Sequence, residues 1–138
     1  MDALYREPTN VTPYIYLDPN SGLFFIEGRS IPENAEMFYS AVLTWLDQLV
    51  ASPPAAVQVS INLDFMNIAS SKRLLFAMYK LYEAQAKGCR VSVKWYYDVS
   101  DKDMLEVGMD YSQMVEQIPF EYIALNSHKT IIPTLKVG

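Results

Sequence analysis

The sequence predicts an α/β fold: a single two-layer domain with a mixed sheet of about five strands, in the order ββαβαβαβ, and helices mainly on one face. Three observations carry that expectation. Val57, Val59, Ile61, Leu63 and Phe65 alternate with Gln58, Ser60, Asn62 and Asp64, and Val91, Val93, Trp95 and Tyr97 alternate with Ser92, Lys94, Tyr96 and Asp98. Strict period two marks strands with one apolar face. Between these runs, Leu74, Leu75, Met78, Leu81 and Tyr82 recur at helical spacing. A strand, a helix and a second strand in that order form a right-handed crossover joining parallel strands. Parallel strands covered on both faces read as continuous apolar runs. The alternation therefore puts the helices on one side. Gln58, Ser60, Asn62, Ser92, Lys94 and Tyr96 are left on a face that is either solvated or a docking surface.

The elements follow in chain order. Residues 1–12 read as a loose N-terminal arm, because Pro8 and Asn10 interrupt any pattern. The domain proper is expected over 13–125 and a C-terminal tail over 126–138. Tyr14 to Leu17 and Leu23 to Glu27 are short β-prone runs, and Asp18-Pro19-Asn20-Ser21-Gly22 between them is rich in turn formers, so they read as a hairpin. Ser30-Ile31-Pro32-Glu33 has the spacing of a capping box. The helix after it places Phe38, Val42, Trp45, Leu46 and Leu49 on one stripe and ends at Ser52-Pro53-Pro54. The next helix is expected from about Ser71 to Lys87, with Gly88 as its C-cap. A third covers Lys102 to Glu116, and residues 101–116 set five carboxylates against one lysine. Phe120 to Leu125 is a last short strand. Pro133 and Gly138 lie in the tail.

Composition narrows the function. The 138 residues are 51% hydrophobic and carry a net charge of −5. That suits one self-sufficient core and lacks the basic footprint of nonspecific nucleic-acid binding. No apolar run is long enough to span a membrane, and the N-terminus has no charged region followed by an apolar one, so neither a membrane span nor secretion is expected. The single cysteine, Cys89, has no partner for an internal disulfide. A cytoplasmic protein fits all of this.

Catalytic signatures are missing. The sequence has no phosphate-binding glycine loop and no G-x-S-x-G elbow. His128, the only histidine, lies in the tail, far from Cys89 and the serine pair, so no base–nucleophile pair can be named. Cys and His clusters of the kind that hold metals are absent, and no cofactor is implied. Asp101 and Asp103 read as an acidic helix start, Cys89 as a small buried residue, and Trp95 and Tyr97 as core aromatics beside a half-exposed Tyr96. The informative stretch is Phe65-Met66-Asn67-Ile68-Ala69-Ser70-Ser71-Lys72, at a strand-to-helix junction. Hydroxyls beside the free amides of a helix start suit either an anion or ordinary capping. Here Ser71 is the expected N-cap and Ser70 the free hydroxyl. Both parallel strands end at this edge, so Asn67, Ser70, Ser71 and Asp98 are expected to share one polar rim.

These segments resemble a family. Gly28-Arg29-Ser30-Ile31-Pro32-Glu33-Asn34, then Phe38-Tyr39 and Trp45-Leu46, looks like the G-x-S-x-P-E-N…F-Y…W-L signature of the SiaC-type regulatory phosphoproteins. The 65–72 stretch resembles their aromatic-x-N-T-S-S-x-K segment, and Val91 to Asp98 their V-x-[VL]-x-W-x-Y-D strand. The resemblance covers roughly residues 12 to 125. It implies a STAS-like, noncatalytic switch protein comparable to anti-sigma-factor antagonists. A serine/threonine kinase phosphorylates such a protein at this junction and a PP2C-type phosphatase reverses it. The unmodified form activates a diguanylate cyclase, linking the switch to cyclic-di-GMP and biofilm formation. By this resemblance the partner-binding residues are Met66, Asn67, Ile68, Ser70, Ser71, Lys72, Tyr96 and Asp98. The family's phosphoacceptor threonine is Ile68 here, which cannot accept a phosphoryl group. Either Ser70 or Ser71 takes that role, or the chain is a constitutive relative. A second reading is a small-molecule or anion-binding domain using the helix N-terminus at Ser70-Ser71, against which the lack of a glycine-rich loop weighs.

Overall fold

The computed structural model describes residues 1–126 and 129–132. Within them the chain runs β1 (Leu4–Arg6), β2 (Tyr14–Leu17), β3 (Leu23–Ser30), α1 (Ala35–Ala51), β4 (Ala56–Met66), α2 (Ile68–Ala86), β5 (Arg90–Asp98), α3 (Lys102–Met114) and β6 (Phe120–Leu125). The strands form one sheet in sequential order. β1, β2 and β3 pair antiparallel, and β3 to β6 pair parallel. Three successive right-handed crossovers in a sequentially ordered sheet return α1, α2 and α3 over the same face. The mixed sheet is thus as predicted, with six strands instead of five. The extra strand comes from the expected arm: Leu4 lies opposite Leu17 and Arg6 opposite Ile15. Trp45 Nε1 donates to the Asp2 carbonyl at 2.8 Å. Three residues are too few to show period two in a sequence.

The inward residues of the sheet, among them Ile15, Phe24, Val59, Ile61, Val93 and Trp95, pack against Tyr39, Val42 and Leu49 of α1 and Leu74, Met78 and Leu81 of α2. Each large apolar side chain so buried contributes about 1.5–3 kcal/mol. Gly22 closes the β2–β3 hairpin with φ 72°. A Cβ there would also collide with the Ala56 carbonyl oxygen, so the turn needs glycine twice over. α2 ends as the sequence indicates. Gly88 takes φ 103°, its amide donates to Gln85 O at 3.0 Å, and Cys89 N donates to Ala84 O at 3.2 Å, the paired bonds of a Schellman motif.

Three local expectations are corrected. The capping box at Ser30–Glu33 does not form. Asn34 caps α1 instead, its side chain accepting from Met37 N at 3.0 Å, and Ser30 closes β3. Ile31 precedes a proline, which disfavours helical backbone at that position and keeps the chain extended. α2 starts at Ile68, not near Ser71: Asn67, at φ −81° and ψ 167°, is the N-cap. The alternation of β4 also fails at its end. Gly28 pairs with Leu63 but Arg29 pairs with Phe65, which leaves Asp64 as a bulge. One extra residue reverses the facing of everything after it. Phe65 is therefore 55% exposed while Met66 packs against the core.

Part of the expected tail lies on the sheet. Asn62 Nδ2 donates to Lys129 O at 3.0 Å, and Thr130 Oγ1 and Ile131 N donate to the Glu27 carboxylate at 2.5 and 2.6 Å. His128, Pro133 and Gly138, singled out in the sequence, lie outside the described residues.

Candidate functional site: the first turn of α2

β3, β4 and the starts of α1 and α2 meet at one edge of the sheet. The Asn67 amide donates to Ser30 O at 3.0 Å, and its side-chain Nδ2 donates to Pro32 O at 3.3 Å. The other side-chain atom, Oδ1, accepts from Ser70 N at 2.9 Å. Asparagine supplies a donor and an acceptor on one short side chain, so Asn67 both caps α2 and fixes it to the chain leaving β3.

Beneath this turn lies a buried line of hydroxyls. Ser30 Oγ donates to Ser70 Oγ at 2.8 Å and lies 2.5 Å from Tyr39 Oη. A serine has one proton, so Tyr39 donates to Ser30 and the line runs Tyr39 to Ser30 to Ser70. Ser30, Tyr39 and Ser70 are all fully buried. Burial pushes the Tyr39 phenol up to about 12, against the lowering effect of its serine neighbours. α3 joins from the other side. Tyr111 Oη donates to Ser71 O at 2.7 Å while its ring meets Trp95 edge-on. Burial raises the Tyr111 phenol strongly, the nearby Tyr39 adding to it. Both tyrosines are therefore neutral hydrogen-bond donors.

The candidate residues separate by environment. Ile68 is 88% exposed at the tip of the turn, with the exposed Ala69 and Lys72 beside it. Ser70 faces inward, not outward as expected of a free hydroxyl, because the third residue of α2 points back at β3. Ser71 is not the cap; it is half-buried and its Oγ donates to Ile68 O at 2.8 Å. Met66 turns inward, with its Sδ 3.9 Å from Tyr111 Oη. Asp98 ends β5 at this same edge and holds its own turn, accepting from Ser100 N and Oγ. Tyr96 is opposite Asn62 on the open face of the sheet, away from the α2 turn. Sequence reasoning missed three exposed apolar side chains on the segments that meet at this edge: Ile31 (37% exposed), Met37 (71%) and Phe65 (55%), the last with the Arg29 guanidinium 5.2 Å from its ring centre. Met37 carried a signal, since it is an apolar residue off the buried stripe of α1. Phe65 carried none, because its facing is set by the bulge.

Among the described residues no three His, Cys, Asp or Glu side chains gather as metal ligands, and no helix is long and apolar enough to cross a membrane. The model of the SiaC family regulatory phosphoproteins matches residues 6–125. The chain belongs to the SiaC family. Crystallised apo-SiaC from Pseudomonas aeruginosa is 27% identical to it, with a TM-score of 0.81 over 90% of this chain and all of that one. A second neighbour comes from the structure of the diguanylate cyclase SiaD in complex with its activator SiaC, from the same organism. It is 26% identical, with a TM-score of 0.81 over 88% of this chain and 99% of that one. An uncharacterized protein of P. aeruginosa strain UCBPP-PA14 is 26% identical over 113 residues, 82% of this chain and 90% of its own length.

Proposed function

We propose that this SiaC family chain is a noncatalytic, cytoplasmic regulator that binds and modulates a diguanylate cyclase. The observation that carries the reading is its likeness, in fold and over nearly its whole length, to a SiaC described as the activator in complex with such a cyclase. The docking surface in this reading is the outward side of the first α2 turn. Ile68 and Lys72 form its centre, Phe65, Ile31 and Met37 its apolar surround, and Asn67, Ser71 and Asp98 its polar margin. Met66 and Ser70 support it from beneath, and Tyr96 falls outside it. Exposed aliphatic and aromatic groups around a rigid turn are the composition of an interface centre.

Within a kinase- and phosphatase-controlled circuit linked to cyclic-di-GMP and biofilm formation, this chain is the constitutive form. Isoleucine at position 68 offers no hydroxyl. Ser70 is fully buried, and the Ser71 hydroxyl is already engaged by the helix backbone. These facts favour loss of the phosphoswitch over its transfer to a neighbouring serine. The anion-binding alternative at the Ser70-Ser71 helix start is weakened too, because α2 begins at Ile68 and the Ser70 amide already donates to Asn67 Oδ1.

Two measurements test the reading. Mixing the protein with GGDEF cyclases of its own host should raise cyclic-di-GMP synthesis several-fold for one of them; no effect on any overturns the regulator assignment. Incubation with a SiaC-type kinase and ATP should leave the intact mass unchanged, whereas Ile68→Thr should gain one phosphate. A phosphate on wild-type Ser71 overturns the constitutive part alone.

A further inference from the structure

The open face of the sheet carries a second built site, independent of the regulator reading. Glu27 on β3 and Asn62 on β4 are register partners, and Asn62 Nδ2 donates to Glu27 Oε2 at 2.8 Å. Asn62 is 7% exposed and its neighbour on the same face, Ser60, is 3% exposed. Both belong to a face whose alternation suggested solvent or docking. What covers Asn62 is the chain itself. The Asn62 amide donates its remaining proton to Lys129 O at 3.0 Å. The Glu27 carboxylate accepts from Thr130 Oγ1 at 2.5 Å and from Ile131 N at 2.6 Å. The orientation of the Asn62 amide is fixed by these partners, since a carboxylate and a carbonyl can only accept.

We propose that Glu27 and Asn62 form a recognition site for an extended peptide segment, occupied in cis by Lys129-Thr130-Ile131. The chemistry read is specific. Asn62 takes a backbone carbonyl, one carboxylate oxygen takes the hydroxyl of the next residue, and the other takes the amide after it. A hydroxyl residue is thus required at the centre, while the two flanking residues are read through their backbone atoms. The carboxylate receives three hydrogen bonds, one of them from Asn62, and bonds to an ionised acceptor are about twice as strong as neutral ones. The pair lies one strand spacing apart, and it spans the three consecutive residues it binds. Residues 129–131 therefore act as a resident ligand, and any partner approaching this part of the open face must displace them.

Amide hydrogen exchange on the full chain tests this. The Ile131 amide should exchange at least tenfold more slowly than an unstructured amide. Thr130→Val, which alters the strap and leaves the sheet intact, should reduce that protection about tenfold, and Glu27→Ala should abolish it. An unprotected Ile131 in the wild type, or protection unchanged in both variants, overturns the proposal. A labelled synthetic peptide of residues 126–132 should bind the Thr130→Val chain at least tenfold more tightly than the Thr130→Val/Glu27→Ala chain. Equal binding by the two also overturns it.

Discussion

Ile68 and Ser70 stand two positions apart on α2 and meet opposite surroundings, one 88% exposed and the other fully buried. Their mutants should therefore separate docking from folding. Ile68→Asp removes apolar surface from the tip of the turn and adds a carboxylate at a helix start, where an acid is favoured by about 0.3–1 kcal/mol. Stability in urea should change by no more than about 0.5 kcal/mol, while stimulation of the cyclase should fall tenfold or more. Tyr39→Phe does the reverse: it removes the donor that heads the buried hydroxyl line. That should cost about 1 kcal/mol in a urea melt with little effect on partner binding. Gly108→Ala is a third residue-scale test. A Cβ there would lie 2.6 Å from the Trp95 indole, itself anchored by Nε1 donating to Met104 O at 2.9 Å. The ring cannot retreat, so overpacking should cost about 1–3 kcal/mol. The chemical types at these positions were legible in the sequence, and Trp95 was correctly expected inside. Which serine faces inward was not, because it depends on where α2 begins.

At the scale of elements, the start of α2 is decided by competition between caps. Asn67, Ser70 and Ser71 are all capable N-caps by type. Asn67 prevails because its amide and side chain also bind the chain leaving β3, at Ser30 O and Pro32 O. Asn67→Ala should cost about 0.5–2 kcal/mol and speed exchange of the Ser70 amide. The same edge shows why α1 starts at Ala35: Ile31 cannot turn helical ahead of Pro32, so Ser30 is free to become the middle of the hydroxyl line. The Asp64 bulge is the third element-scale event. It directs Phe65 to the surface beside Arg29 and Met66 toward Tyr111, reversing what strict alternation predicts. Elements with long periodic runs, β4 up to Leu63, β5 and the body of α2, were read directly from their spacing. Ends and bulges were not, because each is settled by a partner strand or loop.

The whole molecule joins three helices and two strands at one turn through neutral phenols, and this gives it an alkaline limit. Burial pushes the Tyr39 phenol up to about 12, against 10 for a free phenol. A group whose folded value is raised holds its full stabilisation below the unfolded value and loses it as pH climbs through the folded one. The part of the stability that Tyr39 holds should therefore be complete up to about pH 10 and be lost from there to about 12, read as an alkaline fall in melting temperature. Tyr39→Phe should flatten part of that fall, Tyr111 supplying the rest. The sequence by itself determined the crossover units, the one-sided helical layer and the family, because hydrophobic period and motif order are properties of neighbouring residues. Only the tertiary structure decided which hydroxyl is sealed, which aromatic faces water and where residues 129–131 rest. Each of those outcomes is fixed by a bond between distant positions, 40 residues apart for Ser30 and Ser70 and 104 for Glu27 and Ile131. No local pattern encodes a contact that exists only once the sheet has brought its strands together.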